Sequence, residues 1–197
     1  MCGAAGGGGD GKTPLGRAFL DLARTRQSTR RYRDRPVQRE SIERCLEAAR
    51  LAPSACNAQP WKFVVVQDAQ IRRRLAGAAV GPFGSFNTFV HQAPVLVAVV
   101  ASPPDLKLAV GGALKRRDYS LIDSGIAAGH FCLQAAELGL GSCMLGWFDE
   151  GKVKSALGVP RNHRVHLLIA LGYAADPGVR EKRRRPLPEL YSNDRYR

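Results

Sequence analysis

Residues 121–148 read LIDSGIAAGHFCLQAAELGLGSCMLGWF, and the fold turns on how that run divides. Ile122, Ile126, Phe131, Cys132, Leu133 and Ala136 make its first part apolar around much of the girth, which predicts a central helix over about 121–137. LGLG ends that helix in the way C-terminal glycines do. SCMLGWF (142–148) then reads as a strand.

Working outward, DEGKVKSALG is a short helix with Asp149 as its N-cap, and RVHLLIALGYA (164–174) is a buried strand. Upstream, APVLVAVVA (93–101) reads as a buried central strand and WKFVVVQD (61–68) as a strand rich in β-branched residues. AQIRRRLAGAA (69–79) is a short helix between them. QRESIERCLEAARLA (38–52) carries the apolar stripe Ile42, Cys45, Leu46, Ala49 and stops before Pro53. PLGRAFLDLAR (14–24) puts Leu15, Ala18, Phe19 and Leu22 on one helical face. PSACNAQP (53–60) and GPFGSFNTF (81–89) are loops, and 102–120 has only weak periodicity. The order α-α-β-α-β-α-β-α-β predicts one mixed α/β or α+β domain over 14–190. A flexible Gly-rich tail (1–13) precedes it, and a basic, Pro-interrupted, extended arm (180–197) ends it.

Composition narrows the function. The 197 residues suit one domain with a real core. The longest apolar run is too short to span a membrane, and no secretory h-region is visible, so a cytoplasmic protein is expected. Five cysteines without a C-x-x-C pair argue against a disulfide framework and a structural zinc site. The histidines at 91, 130, 163 and 166 form no metal-ligand cluster with carboxylates, and no Ser-His-Asp or Cys-His arrangement emerges. Neither a metal ligand nor a catalytic side chain is assigned. Asp123 reads as a polar core or cap residue. GGGGDGKT (6–13) matches the pattern of a phosphate-binding loop, but only five residues precede it, too few for the buried strand that must launch such a loop.

The net charge of +13 points to nucleic acid, an acidic membrane surface or an anionic ligand. Charge concentrates in RTRQSTRRYRDRPVQR (24–39) and REKRRRP (180–186). Arg26, Ser28 and Arg30 alternate, and two guanidinium forks with a hydroxyl suit a phosphate. A solvated basic face is the plainer reading of the same charges. The small residues of PSACN would let backbone approach a flat ligand, while Asn57 offers both a donor and an acceptor. The glycines of GLGSC (139–143) permit a similar close approach of backbone N–H groups, or merely cap the helix.

Taken together and in order, RQSTRRY, the segment APSACNAQPW, the DSGIAAGHFCLQAAELGLGSCMLGWF run, LIALGYA and the closing KRRRPL resemble the nitroreductase family of flavin enzymes. The resemblance covers almost everything from about residue 24 to 190. It implies a central mixed sheet flanked by helices, in a homodimer with two sites at the subunit interface. It implies FMN as cofactor, its phosphate gripped by Arg26, Ser28 and Arg30 and, counting back from Pro186, by Lys182 and Arg184. Pro53, Ser54, Ala55 and Asn57 would lie beside the flavin ring from the other subunit, and the backbone of Leu140, Gly141 and Ser142 would help hold it. The activity implied is ping-pong hydride transfer from NADH or NADPH to small electron-poor acceptors such as nitroaromatics or quinones. Relatives that dehalogenate aromatics or cleave flavin keep those reactions open. A basic nucleic-acid-binding protein is the rival from another class, though no helix-turn-helix, zinc-finger or RNA-binding signature is present.

Overall fold

VLVAVVA (Val95–Ala101, β2) has all seven side chains buried, because this strand is covered on both faces. Its neighbours are β1 (Trp61–Val66) on one side and β4 (Arg164–Gly172) on the other, with β3 (Gly141–Leu145) at the far edge. All three pairings are antiparallel: Val64 opposes Ala98, Val97 opposes Ile169, and Cys143 opposes Ala170. Among the described residues the parallel component of the expected mixed sheet is a single bridge, Ser28 to Ser142. The structure, a computed structural model, describes residues 15–80, 87–103, 118–176 and 178–196, with side chains from residue 18. The expected tail at 1–13 and most of 81–89 and 102–120 lie outside the described residues.

Strand alternation sends side chains to two cores. Leu96, Ala98 and Val100 pack with Leu75, Ala76 and Ala79 of α3 (Ala69–Val80) and Val153 of α5 (Glu150–Leu157). Val95, Val97 and Val99 pack with Ile42, Cys45 and Ala49 of α2 (Arg39–Arg50) and Ala127, Ala128 and Phe131 of α4 (Tyr119–Glu137). Phe63 of β1 stacks on Phe131 with ring centroids 5.7 Å apart. Between Val99 and Val100 the register slips, since they oppose Leu167 and Val165 respectively. His166 is therefore a bulged residue, and the bulge is what lets Val165 and Leu168 share one core despite their parity.

The end of α4 and the start of α5 fall where the sequence implied, whereas β1, β3 and β4 stop at Val66, Leu145 and Gly172, short of the expected 68, 148 and 174. Gly139 takes φ +72 after α4, its N–H bonding Ala136 O, while the N–H of Leu140 bonds Ala135 O; this is a Schellman cap. Asp149 caps α5 by accepting the N–H of Lys152 at 3.0 Å. The α4 expectation needs one refinement. Its inner face is buried, but Leu121, Ile122 and Ile126 are exposed, as are Phe19 and Leu20 of α1 (Leu15–Thr25), which packs beside it. The second apolar stripe that made this helix read as central thus lies open in the single chain.

Candidate functional site

The segment 26–32 is laid along the edge of β3. Thr29 donates its N–H to Ser142 O at 2.9 Å, and the Tyr32 hydroxyl, buried, lies 2.9 Å from Thr29 O and 3.2 Å from Ala170 O. Burial drives the Tyr32 pKa upward, so it stays protonated and donating. Gly141 permits this close approach: a Cβ there would fall 2.5 Å from Thr29 Oγ1. With Thr29 turned in, Ser28 and Arg30 fall on the alternate, outward side together with Arg26.

The C-terminal arm then crosses this segment. Gln27 donates Nε2–H to Gly178 O and accepts the Arg180 N–H at Oε1, while Arg180 Nη2 donates to Ser28 O at 2.6 Å. Lys182 Nζ donates to Ala23 O at 2.7 Å and to Arg26 O, which satisfies carbonyls left free where α1 ends. The result is an open cleft of about 310 Å³ between segment and arm. Arg26, Ser28, Arg30, Lys182 and Arg184, all five residues expected to share one phosphate, line it. Arg180 and Arg183 join them; sequence reasoning passed over Arg180, whose signal was only that it opens the basic block.

Electrostatically this cleft is unbalanced. Its one acidic lining residue is Glu181, and among the described residues no ion pair reaches any of its cations. Burial first, then the charges of Arg26 and Arg184, lower the Lys182 pKa. A cation crowded by like charges signals a site that an anion would relax. Arg30 is steadied from behind by the Phe89 ring, its guanidinium 6.0 Å from the ring centroid.

Leu140, Gly141 and Ser142 line a second cavity of about 300 Å³ that shares Arg26 and Gln27 with the first. Leu140 and Ser142 are themselves buried, and Ser142 O is already taken by Thr29. The exposed part of this edge lies further on, at Met144 and at Trp147, which is 69% exposed.

Pro53, Ser54, Ala55 and Asn57 line neither cavity. They form a tense loop after α2: Cys56, Asn57 and Gln59 all have positive φ (51, 54 and 46) without being glycine. The loop is tied down at both ends. Ser54 Oγ accepts the Gln59 N–H at 2.9 Å, and Pro60 O accepts the Ser102 N–H at 2.9 Å. Asn57 Oδ1 accepts from Gln59 Nε2, leaving its NH2 group as the donor it can offer. In its middle, the Ala55 N–H points to Asp123 of α4, 3.1 Å from Oδ1 and 3.2 Å from Oδ2. Among the described residues no group of His, Cys, Asp and Glu could hold a metal, and no helix is long and apolar enough to cross a membrane. Cys45 and Cys132 are buried, with thiols pushed up by desolvation to about 12 and about 11, so both are packing residues.

Known proteins are similar to this chain in sequence and fold. A putative NADH dehydrogenase/NAD(P)H nitroreductase of Archaeoglobus fulgidus is 34% identical over 161 residues, covering 80% of this chain and 86% of that one. An iodotyrosine deiodinase of Thermotoga neapolitana is 25% identical over 179 residues, covering 81% and 90%. The structure of an FMN-dependent nitroreductase from Clostridium difficile R20291 superposes with a TM-score of 0.68 at 27% identity, over 90% of this chain and 97% of that one. The family model described as "Nitroreductase family" matches residues 23–173, from the end of α1 through the last strand, and the chain belongs to that family.

Proposed function

We propose that the protein is an FMN-dependent NAD(P)H oxidoreductase that reduces electron-poor acceptors such as nitroaromatics or quinones. One observation carries the reading: Arg26, Ser28, Arg30, Lys182 and Arg184 meet in a cleft whose cations lack carboxylate partners among the described residues. Forked guanidiniums and a hydroxyl around a dianionic phosphate form charge-assisted hydrogen bonds, and the anion would offset the like-charge repulsion that, after burial, lowers the Lys182 pKa. FMN therefore fits the donor set. When bound it would supply two-electron redox chemistry between a reduced nicotinamide and the acceptor.

The chain's own residues bind and orient. Arg26, Ser28 and Arg30 hold the phosphate from the 26–32 segment, while Lys182 and Arg184 close over it from the arm. The loop of Pro53, Ser54, Ala55 and Asn57 serves the ring edge of a partner's site, which accounts for its lying outside the two cavities described above. A homodimer would cover Phe19, Leu20, Leu121, Ile122 and Ile126, all exposed in the single chain. The named relatives include both nitroreductase-type proteins and a deiodinase, so the acceptor is the open variable.

The test is direct. The purified protein should be yellow or take up added FMN, and NADH or NADPH added without oxygen should bleach it. Arg26→Ala with Arg30→Ala should weaken FMN retention about a hundredfold or more, as expected on losing two charge-assisted contacts. The fold should survive, since Arg30 is exposed and neither side chain has an ion-pair partner among the described residues. Wild-type affinity in that double variant sinks the phosphate assignment. A colourless protein that ignores FMN yet binds duplex DNA with a steep salt slope sinks the whole reading. A panel of nitroaromatic, quinone and halotyrosine acceptors then identifies the reaction.

A further inference from the structure

The loop that follows α2 contains a short 3-10 turn, Ala55–Asn57, whose capping is unusual. Ser54 stands at its N-cap position with extended backbone, φ −143 and ψ 157, but makes no capping bond to the turn. Its hydroxyl is committed elsewhere, accepting the Gln59 N–H. The donor at the head of the turn, the Ala55 N–H, is instead accepted by Asp123, a residue 68 positions away on α4. Asp123 is 5% exposed, and among the described residues it has no cationic partner. A buried carboxylate whose only donor among the described residues is one backbone N–H is costly unless holding that backbone matters. The backbone it holds is the one with three non-glycine residues at positive φ, a conformation that Cys56 and Gln59, unlike Asn57, do not favour.

We infer that Asp123 is a positioning residue: through the Ala55 N–H it fixes the loop of Pro53–Asn57 in the shape that receives the flavin ring. This rests on the flavin reading above. Asp123 itself touches no cofactor; it acts through the loop. The phosphate grip is built on other elements, the 26–32 segment and the arm, so ring recognition and phosphate recognition should respond separately to mutation.

Riboflavin, which lacks the phosphate, and FMN are the paired probes. In Asp123→Ala both should bind about tenfold more weakly, the cost of one well-placed hydrogen bond to a charged group, with their affinity ratio unchanged. Arg26→Ala with Arg30→Ala should do the reverse and collapse the ratio. Asp123→Asn, whose Oδ1 can still accept the N–H, should recover binding to within about threefold of wild type. Ala55→Pro deletes the same bond from the other side, and the extended backbone of Ser54 is what a following proline requires; it should reproduce the loss, and combining it with Asp123→Ala should add nothing. Hydrogen exchange over 53–59 in flavin-free protein should quicken in Asp123→Ala. Unchanged exchange there, or riboflavin affinity retained in both Asp123→Ala and Ala55→Pro, overturns the inference. A wild-type protein that takes up no flavin overturns the functional reading instead, while the exchange experiment still judges the clamp.

Discussion

Glu150 shows how much one side chain can tie together. It begins α5, yet it accepts from Arg164 Nε at 3.0 Å and from the Val165 N–H at 2.9 Å on β4, with Lys154 Nζ 3.3 Å away. Partial burial opposes its ionisation, but these donors win and hold its carboxyl down at about 2. Because the folded pKa lies below the ordinary 4.5, ionised Glu150 stabilises the fold fully above pH 4.5, and that contribution fades as pH falls toward 2. Glu150→Gln should therefore cost on the order of 1–2 kcal/mol at neutral pH. Denaturant titrations of the two proteins should converge as pH drops through that window, and a gap that persists at pH 2 would contradict the assignment. The same scale shows what could be read from the chain alone. Arg26, Ser28 and Arg30 alternate within five residues, a local pattern that by itself reads equally as a solvated basic face; their proposed phosphate role came with the family resemblance. The role of Asp123 was not legible, because it is set by an N–H 68 residues earlier. Nor was the burial of Leu140 and Ser142, which follows from Thr29 docking on Gly141 rather than from the glycines themselves.

Among the elements, boundaries were easier to foresee than neighbours. Pro53, Gly139 and Asp149 each act within one turn of their own helix, so sequence alone located those ends. Sheet order is a different matter: nothing local to VLVAVVA says that it lies between β1 and β4, or that His166 bulges out of the pairing. Gly139 is the test of the local kind of information. At φ +72 an L side chain is strained, and nothing lies within 4 Å of where its Cβ would be, so the penalty is purely conformational. Gly139→Ala should lower stability by about 1 kcal/mol, seen as a small drop in Tm. Gly141→Ala should cost more, for the opposite reason: its Cβ would meet Thr29 Oγ1 at 2.5 Å and push the cleft segment off β3. If the two variants were equally stable, crowding at Thr29 would not be what Gly141 relieves.

At the scale of the molecule, the charge and the open apolar face belong to one design. Six cationic side chains against one carboxylate line the cleft where segment and arm face each other, and five large apolar side chains left uncovered, Phe19, Leu20, Leu121, Ile122 and Ile126, lie on α1 and the first turns of α4. Asp123, which holds the loop, and Ile122 and Ile126, which are exposed, occupy neighbouring positions on the same stretch of α4. A second copy seated on that face would thus sit beside the loop it needs. Ile122→Glu with Ile126→Glu introduces charge on the outer face, where the single chain pays almost nothing, so each subunit should stay folded. Light scattering should show about half the wild-type mass, and, on the function proposed above, FMN affinity should fall because a lone subunit would keep its phosphate grip but lose the partner's loop. Arg26→Ala with Arg30→Ala should give the converse, a dimer of full mass that retains little flavin. If the glutamate variant were monomeric and bound FMN as tightly as wild type, the site would be complete within one chain, and the loop of Pro53–Asn57 would have to be given another task.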